Sequence, residues 1–447
     1  MNSGRLLVIL ATFLVGSCDP EAARHELPAP GGTWTKPRLI GSGLAVPNPT
    51  MNRLSELNFW TGFALFRDPW VAAPSSTSAR DGLGPLFSAR SCIACHEDVG
   101  RGDSLIHNQQ TLATVYRVLS NGRLQEDYGT HLQSRATFDL QKSGRRVIGF
   151  YAGEPQPDVV IRRLPVPNAT RSLSLIDATV DGEIVSPRVA PAMVGLGLLE
   201  RVPERRLQSL EDPDDRDDDG VSGRINWIDF EGVRMPGRFG WKASQPSIAV
   251  QAADAFRNDI GITSALKPEQ NCAKQQTECA RQADGGGPRG PHEINDPLFQ
   301  HVVYFSASLA VPSARPLTAE RRRGADLFSR LECDSCHTPS HVVATEFGDE
   351  QTIWPYTDLL LHDMGPLLAD GVVESSATGS EWRTPPLWSL GVALELNPEA
   401  GLLHDGRAAT VAEAVIWHGG EAAQSAAEFL KLSESEQDAL EAFVLAL

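Results

Sequence analysis

Beyond Val15 the 447-residue sequence contains no apolar run long enough to cross a bilayer, which takes about 20 residues. Basic residues are also short: 40 Lys and Arg stand against 57 Asp and Glu, a formal charge of −17. That balance argues against a nucleic-acid partner, since phosphate backbones are held by cationic patches. It would steer a basic redox partner instead. Cysteine is scarce, seven in all, and four of the seven lie in one phrase that occurs twice. Hydrophobic residues at 41% and charged residues at 22% are ordinary for a globular protein, and the length allows two or three domains.

At the N-terminus, Arg5 precedes an apolar run from Leu6 to Val15, about right for a signal peptide over residues 1–17. The run ends in "VGSCDP", which resembles the bacterial lipoprotein processing box. Cleavage would then fall before Cys18, and that thiol would carry the lipid; a plain secretory signal with a chance cysteine is the alternative. Residues 18–50, rich in Pro, Gly and Ala, read as a tether. The expected location is therefore the periplasmic side, with membrane attachment through lipid on Cys18. Thiols in exported proteins tend to pair. Cys272 and Cys279, in "NCAKQQTECA", are a candidate disulfide, with two free thiols as the alternative.

The repeated phrase is "LFSARSCIACH" at residues 86–96 and "LFSRLECDSCH" at 327–337. Cys-x-x-Cys-His is the attachment signal for c-type haem: two thiols bond to the porphyrin edge and the histidine ligates iron. Cys92, Cys95 and His96 would hold one haem, and Cys333, Cys336 and His337 a second. A thioredoxin-like pair would not need a histidine both times, and a closed zinc cluster would leave both histidines surplus. Before each phrase stands a stretch with helical spacing, "LNFWTGFALF" and "LTAERRRGADLFSRLE". The chain closes on "SESEQDALEAFVLAL", with a capping-box pattern at Ser433 and Glu436 and an apolar stripe of Leu440, Phe443, Val444 and Leu447. That is the layout of a small c-type cytochrome. Short pieces such as "RRVIGFY", "DVVIRRL" and "GEIVS" read as strands. The expected fold is mainly α: two cytochrome c-like haem domains, at 51–310 and 311–447, with a β-containing insertion at about 108–185 in the first.

Several segments carry a family resemblance: "GLGPLFSARSCIACHEDVGRG", "SPRVAPAMVGLGLLE", "DPDDRDDDGVSGR", "GRFGWKA", "TDLLLHDMGPLLADG", "RTPPLWSLG" and "LLHDGRAATVAEAVIWHGGEA". Over roughly residues 55–447 the chain resembles the di-haem oxidoreductase family labelled thiol oxidoreductases. That family is related to bacterial di-haem cytochrome c peroxidases and the MauG enzymes. The resemblance implies a two-domain haem fold with an insertion and leaves the substrate open.

An iron with two protein ligands stores electrons, whereas one with an open face can do chemistry. For the second haem the candidate sixth ligands are His362, Met364, His404 and His418. Thr410 and Glu413 form another capping-box pattern, and His418 then shares a face with Val411, Ala414 and Val415. In the related peroxidases the residue in that place is an iron ligand, usually Met, so the resemblance implies bis-His ligation through His418. It further implies that the first haem is the reactive one, with Glu200 in "GLGLLERVPE" as its acid. A surface Glu at a helix end is the alternative. His107 and His131 are rival ligands that would close that site. Trp241 either relays electrons between the haems, as a Trp does in the relatives, or is a core residue. Asp215, Asp217, Asp219 and Gly220 match the first half of an EF-hand loop, but position twelve is Asn226 rather than Glu. Calcium and a solvated acidic loop both remain open. The expected activity is peroxidase-like, reducing peroxide or another small oxidant with electrons from a redox protein. A non-enzymatic di-haem electron-transfer lipoprotein and a MauG-like oxidant of a partner protein are the rivals.

Overall fold

The computed structural model describes residues 27–37, 43–77, 79–109, 111–119, 123–138, 151–166, 172–282 and 290–447. The signal segment, Cys18 and most of "RRVIGFY" lie outside the described residues. Six helices position the site: α1 Arg53–Arg67, α2 Ile248–Ala255, α3 Asp296–Ala307, α4 Ala319–Arg330, α5 Val411–Trp417 and α6 Glu434–Val444. Their starts follow local chemistry. Asn52 accepts from the Leu54 and Ser55 amides at 3.0 Å, Thr318 accepts from Arg321, and Ser433 with Glu436 completes the capping box expected of α6.

Two helix crossings are built alike. Helix α1 crosses α3 at Gly62, where a Cβ would stand 2.0 Å from the His301 carbonyl; α4 crosses α6 at Gly324, where it would stand 1.9 Å from that of Ala439. Only glycine allows backbones this close. Four residues after each glycine comes a phenylalanine. The Phe66 ring lies 6.3 Å from His96, and the Phe328 ring lies 6.3 Å from His337. The structural repeat therefore pairs "GFALF" at 62–66 with "GADLF" at 324–328. Leu86 and Phe87 of the first phrase instead form a short strand on Arg135–Ala136, and residues 67–91 separate Phe66 from its cysteines.

The largest sheet is antiparallel and comprises β1 Thr114–Val118, β2 His131–Leu132, β3 Asp158–Pro165, β4 Ser172–Val180 and β5 Glu183–Val189. Its strands run in the order β2-β1-β5-β4-β3. Strand β4 buries alternate residues, Ser174, Ile176, Ala178 and Val180, as period-two packing requires. Asp181 and Gly182, both at positive φ, turn it tightly into β5. Helices take 31% of the chain and strands 20%, so the expectation of a mainly α fold is overturned. Strands also occur well past residue 311, in the hairpins His341–Ala344 with Glu350–Ile353 and Leu361–Asp363 with Glu381–Arg383. Strands of three or four residues are too short to show a period against neighbouring loops, which is why they escape a sequence reading.

One hydrophobic core gathers Trp34, Phe59, Phe66, Leu198 and Phe305 with Val343, Ile353, Leu360 and Trp388, so it spans both halves. A second core holds Phe328, Trp417, Phe429, Leu440 and Phe443. Backbone bonds from Ser104 to Glu399 at 2.9 Å and from Val189 to His404 at 2.8 Å tie the halves together. Cys272 and Cys279 are disulfide-bonded with Cα atoms 5.7 Å apart. Among the described residues, no helix is long and apolar enough to cross a membrane.

Candidate functional site

Each Cys-x-x-Cys-His forms a 3-10 turn, Cys92–Ala94 and Cys333–Ser335, closed by a 3.0 Å bond from the histidine amide to the first cysteine's carbonyl. The imidazoles are held the same way. His96 Nδ1 donates to the Pro191 carbonyl at 2.8 Å, and His337 Nδ1 to that of Tyr356 at 3.0 Å. A carbonyl only accepts, so Nδ1 carries the proton and Nε2 presents its lone pair. Although each ring keeps some exposed surface, burial pushes both down to about 4, against the weaker opposing pull of the carbonyl. Both are neutral at pH 7, the form that ligates metal. All four thiols are unpaired. Burial, then Asp259, pushes Cys92 up to about 12, and burial, then Asp334, does the same for Cys333. Among the described residues, the two cysteine pairs form no common metal cluster. Zinc is thereby disfavoured.

At His96 opens a cavity of about 290 Å³ walled by both halves of the chain. Phe66, Met193, Leu199, Trp241, Phe256 and Trp388 make it largely apolar, while Arg101, Arg188, Arg383, Asp254 and Asp259 supply ionisable groups and His131 a neutral imidazole. His131 is on this wall, but its Nε2 accepts from Arg117 at 2.8 Å, and Thr130 occupies the Nδ1 side. Its lone pair is taken. His107 is exposed and off the wall. Glu200 is also off the wall: its carboxylate accepts from the Ile248 amide at 2.8 Å and caps α2. Two carboxyls do face the cavity, Asp254 of α2 and, on the π-turn Phe256–Ile260 that extends α2, Asp259. Burial first, then Asp254, pushes it up to about 7. Trp241 lines the cavity, donates from Nε1 to the Val189 carbonyl at 2.9 Å, and carries the Arg101 guanidinium 5.2 Å above its ring.

Behind this wall lies a buried charge network. Asp370 pairs with Arg188 and with Lys242 at 3.3 Å, and Glu374 lies 3.4 Å from both Arg117 and Arg188. Arg101 and Arg383 differ. Arg101 donates to the Gly401 and Leu403 carbonyls, and Arg383 to those of Gly240 at 3.0 Å and Thr384 at 3.2 Å. Among the described residues neither has a carboxylate in ion-pair reach, and burial lowers both to about 10.

Near the second turn, His418 ends α5. Its Nδ1 donates to the Ala414 carbonyl at 2.6 Å, Nε2 has no partner among the described residues, and the ring is close enough to His337 to help depress that imidazole's pKa. His362 has no free nitrogen: Nε2 meets Asp358 at 2.7 Å and Nδ1 meets Glu421 at 2.8 Å. Burial opposes its charge, but Asp358 and the adjoining Cys336 sulfur, 3.5 Å away, hold it well above the usual imidazole range. His404 stacks on Trp382 at 3.8 Å and belongs to the charge network around Arg407, Arg188 and Lys242. Met364 packs on the second core, and its carbonyl abuts Gly419.

The ligand atoms of Asp215, Asp217 and Asp219 lie within 4.8 Å of one another. Asn226, at the twelfth position, is turned away: its Nδ2 donates to Lys242 and Glu374, and its Oδ1 accepts from Ser376. Sequence reasoning missed Asp259, Arg101, Arg383 and the acids around His362, because no local spacing joins residues 101, 259 and 383.

A chain that repeats this turn, each time with a neutral imidazole aimed by a carbonyl, falls among haem-carrying redox proteins. Residues 173–447 match the model of the family described as "Di-haem oxidoreductase, putative peroxidase", and the chain belongs to that family. Haem is therefore its cofactor. The matched stretch contains the second turn; the first precedes it. No curated protein matches the chain. One solved structure, the hydrazine synthase of Kuenenia stuttgartiensis pressurized with 20 bar xenon, aligns over 99% of this chain and 100% of that one. Its identity is 13% and its TM-score 0.31, too low to carry an argument. The residues present fit haem at both turns: paired thiols, a free imidazole nitrogen and, at the first, an apolar cavity with unpaired cations.

Proposed function

We propose that this chain is an exported, lipid-anchored di-haem c-type oxidoreductase that reduces peroxide at its first haem. One haem is attached through Cys92 and Cys95 with His96 as ligand, the other through Cys333 and Cys336 with His337. The observation that carries the reading is the asymmetry between the two turns. His96 opens onto a cavity containing a protonatable carboxyl, whereas His337 has the free nitrogen of His418 near it. When bound, haem would supply a redox iron, held by His96 at the first turn and by His337 with His418 at the second. The protein's own contribution is positional and protic. Pro191 and Tyr356 fix the ring orientations, and the apolar walls limit water. Asp259, pushed up to about 7, is protonated in a substantial fraction of molecules at neutral pH and can deliver that proton to the leaving oxygen. Two electrons from a small donor redox protein and two protons convert one peroxide to two waters. Cys18 carries the membrane anchor. In the same proposal the Asp215, Asp217 and Asp219 loop holds calcium.

Optical spectra of oxidised and reduced protein, with and without peroxide, test this reading. One high-spin haem that responds to peroxide is expected; two low-spin haems that ignore both peroxide and cyanide would leave an electron carrier. Asp259→Asn should slow the peroxide reaction by roughly 10² to 10⁴-fold. Glu200→Gln should leave the rate close to wild type, because its partner is a helix amide. Cys18→Ala should release the protein from membranes; continued membrane fractionation counts against the anchor.

A further inference from the structure

Arg101 and Arg383 stand on the wall of the first cavity with no carboxylate in ion-pair reach among the described residues, and we propose that they hold the two propionates of the first haem, one guanidinium from each half of the chain. The inference rests on haem binding at Cys92, Cys95 and His96.

Their neighbours make the case. Arg188 and Lys242 share Asp370, and Arg117 has Glu374, so these neighbouring cations each have a carboxylate in ion-pair reach. Arg101 and Arg383 are 7% and 8% exposed; among the described residues their hydrogen bonds go only to backbone carbonyls, and the Arg101 guanidinium also lies over the Trp241 ring. Taking a guanidinium out of water without an anion is costly, and burial is the main influence lowering both. Carbonyls orient these groups, and the carboxylates that act on them, Asp405 on Arg101 and Asp358 on Arg383, stand beyond ion-pair reach and are outweighed by burial. Hydrogen-bonding capacity is also left over: the second Arg383 terminal nitrogen makes no bond among the described residues, and neither does the first of Arg101. Two carboxylates in the cavity would satisfy both groups, and haem brings two.

The anchors cross between the halves. Arg101, from the first, is tied to Gly401 and Leu403; Arg383, from the second, is tied to Gly240. Trp241 lies between them, under the Arg101 guanidinium and bonded through its carbonyl to the Arg383 amide at 2.9 Å. Seating the first haem therefore requires both halves docked. Two cations at its edge also favour the reduced iron, which carries less positive charge.

The test uses full-length holoprotein carrying Arg101→Gln or Arg383→Gln, each beside its Lys counterpart. Haems are counted by pyridine haemochrome, potentials are read by spectroelectrochemical titration, and propionate bending modes by resonance Raman. The Gln variants should keep two haems, lower the first midpoint potential while the second holds, and shift one propionate mode each. The Lys variants should retain most of the wild-type potential. A Gln variant that loads only the second haem supports the assignment when its Lys counterpart loads both, and refutes it when that fails too. Unchanged potentials and modes with two haems present overturn the assignment and leave haem binding intact. A wild-type count below two removes both.

Discussion

His418 lies close enough to His337 to help depress that imidazole's pKa, and each has Nδ1 bonded to a carbonyl and, among the described residues, no partner on Nε2. That shared arrangement is what a pair of axial ligands on one iron needs, since the bonded nitrogen orients the ring and the other presents its lone pair. His418→Ala should therefore convert the second haem from low-spin to high-spin and open it to cyanide. His418→Met should keep it low-spin and raise its potential, with the near-infrared band of His/Met ligation appearing. A low-spin signal that survives His418→Ala would transfer the ligand role to Met364, which packs at the same end of the domain.

The acidic loop gives a separate test. Three carboxylates converge, but the twelfth-position Asn226 is committed elsewhere, so affinity should fall short of a complete EF-hand loop. Elemental analysis of dialysed protein should find one calcium that disappears in the Asp217→Ala, Asp219→Ala double variant. Equal metal content in both proteins reduces the loop to a solvated surface.

What could be read from the sequence was what is local. Cys92, Cys95 and His96 state their chemistry within five residues, as do Cys333, Cys336 and His337, and the Ser433 to Glu436 cap is a four-residue signal. The spacing after Thr410 put His418 on a helix face with Val411, Ala414 and Val415, whereas the helix ends at Trp417 and His418 is its C-cap. Errors came where distance along the chain replaced distance in space. Matching Leu86–Phe87 to Leu327–Phe328 followed the nearest similar letters, whereas the packing equivalent is Leu65–Phe66. Glu200 does end a helix, but its carboxylate faces the start of α2, while Asp259 at the other end of that segment reaches the cavity. Arg101 and Arg383 meet only after the halves dock, and no periodicity encodes that.

The two glycine crossings make a prediction about stability. Replacing Gly by Ala inside a helix usually gains up to about 1 kcal/mol from propensity. At Gly324 the new Cβ would sit 1.9 Å from the Ala439 carbonyl, so α4 and α6 must separate. Overpacking of this kind costs about 1–3 kcal/mol. Gly324→Ala should lower the denaturation midpoint and disturb the second haem's spectrum, because Phe328, one turn on, packs on His337. Gly62→Ala should act likewise on the first haem through Phe66. A raised midpoint would mean that propensity outweighs contact and that the crossings are looser than described.

Glu374 gives the pH dependence. Burial alone would raise its carboxyl, but Arg117, Arg188, a Ser244 hydrogen bond and Lys242 together outweigh burial and hold it down to about 2, against an ordinary 4.5. A folded-state value below the unfolded one means that the charged carboxylate favours folding. Its contribution is present above the unfolded value near 4.5 and is lost as pH falls from there through about 2. Protonation in that window leaves Arg117 and Arg188 short of a counter-ion beside the first cavity. Glu374→Gln should impose the same loss at neutral pH, destabilising by about 3–5 kcal/mol as expected when one partner of a buried pair is removed. It should also flatten the decline in stability between pH 4.5 and 2. Urea denaturation of wild type and variant across that range measures both effects. Parallel curves would place the acid sensitivity elsewhere, and an unchanged neutral-pH midpoint would mean that Asp370 alone neutralises Arg188 and Lys242.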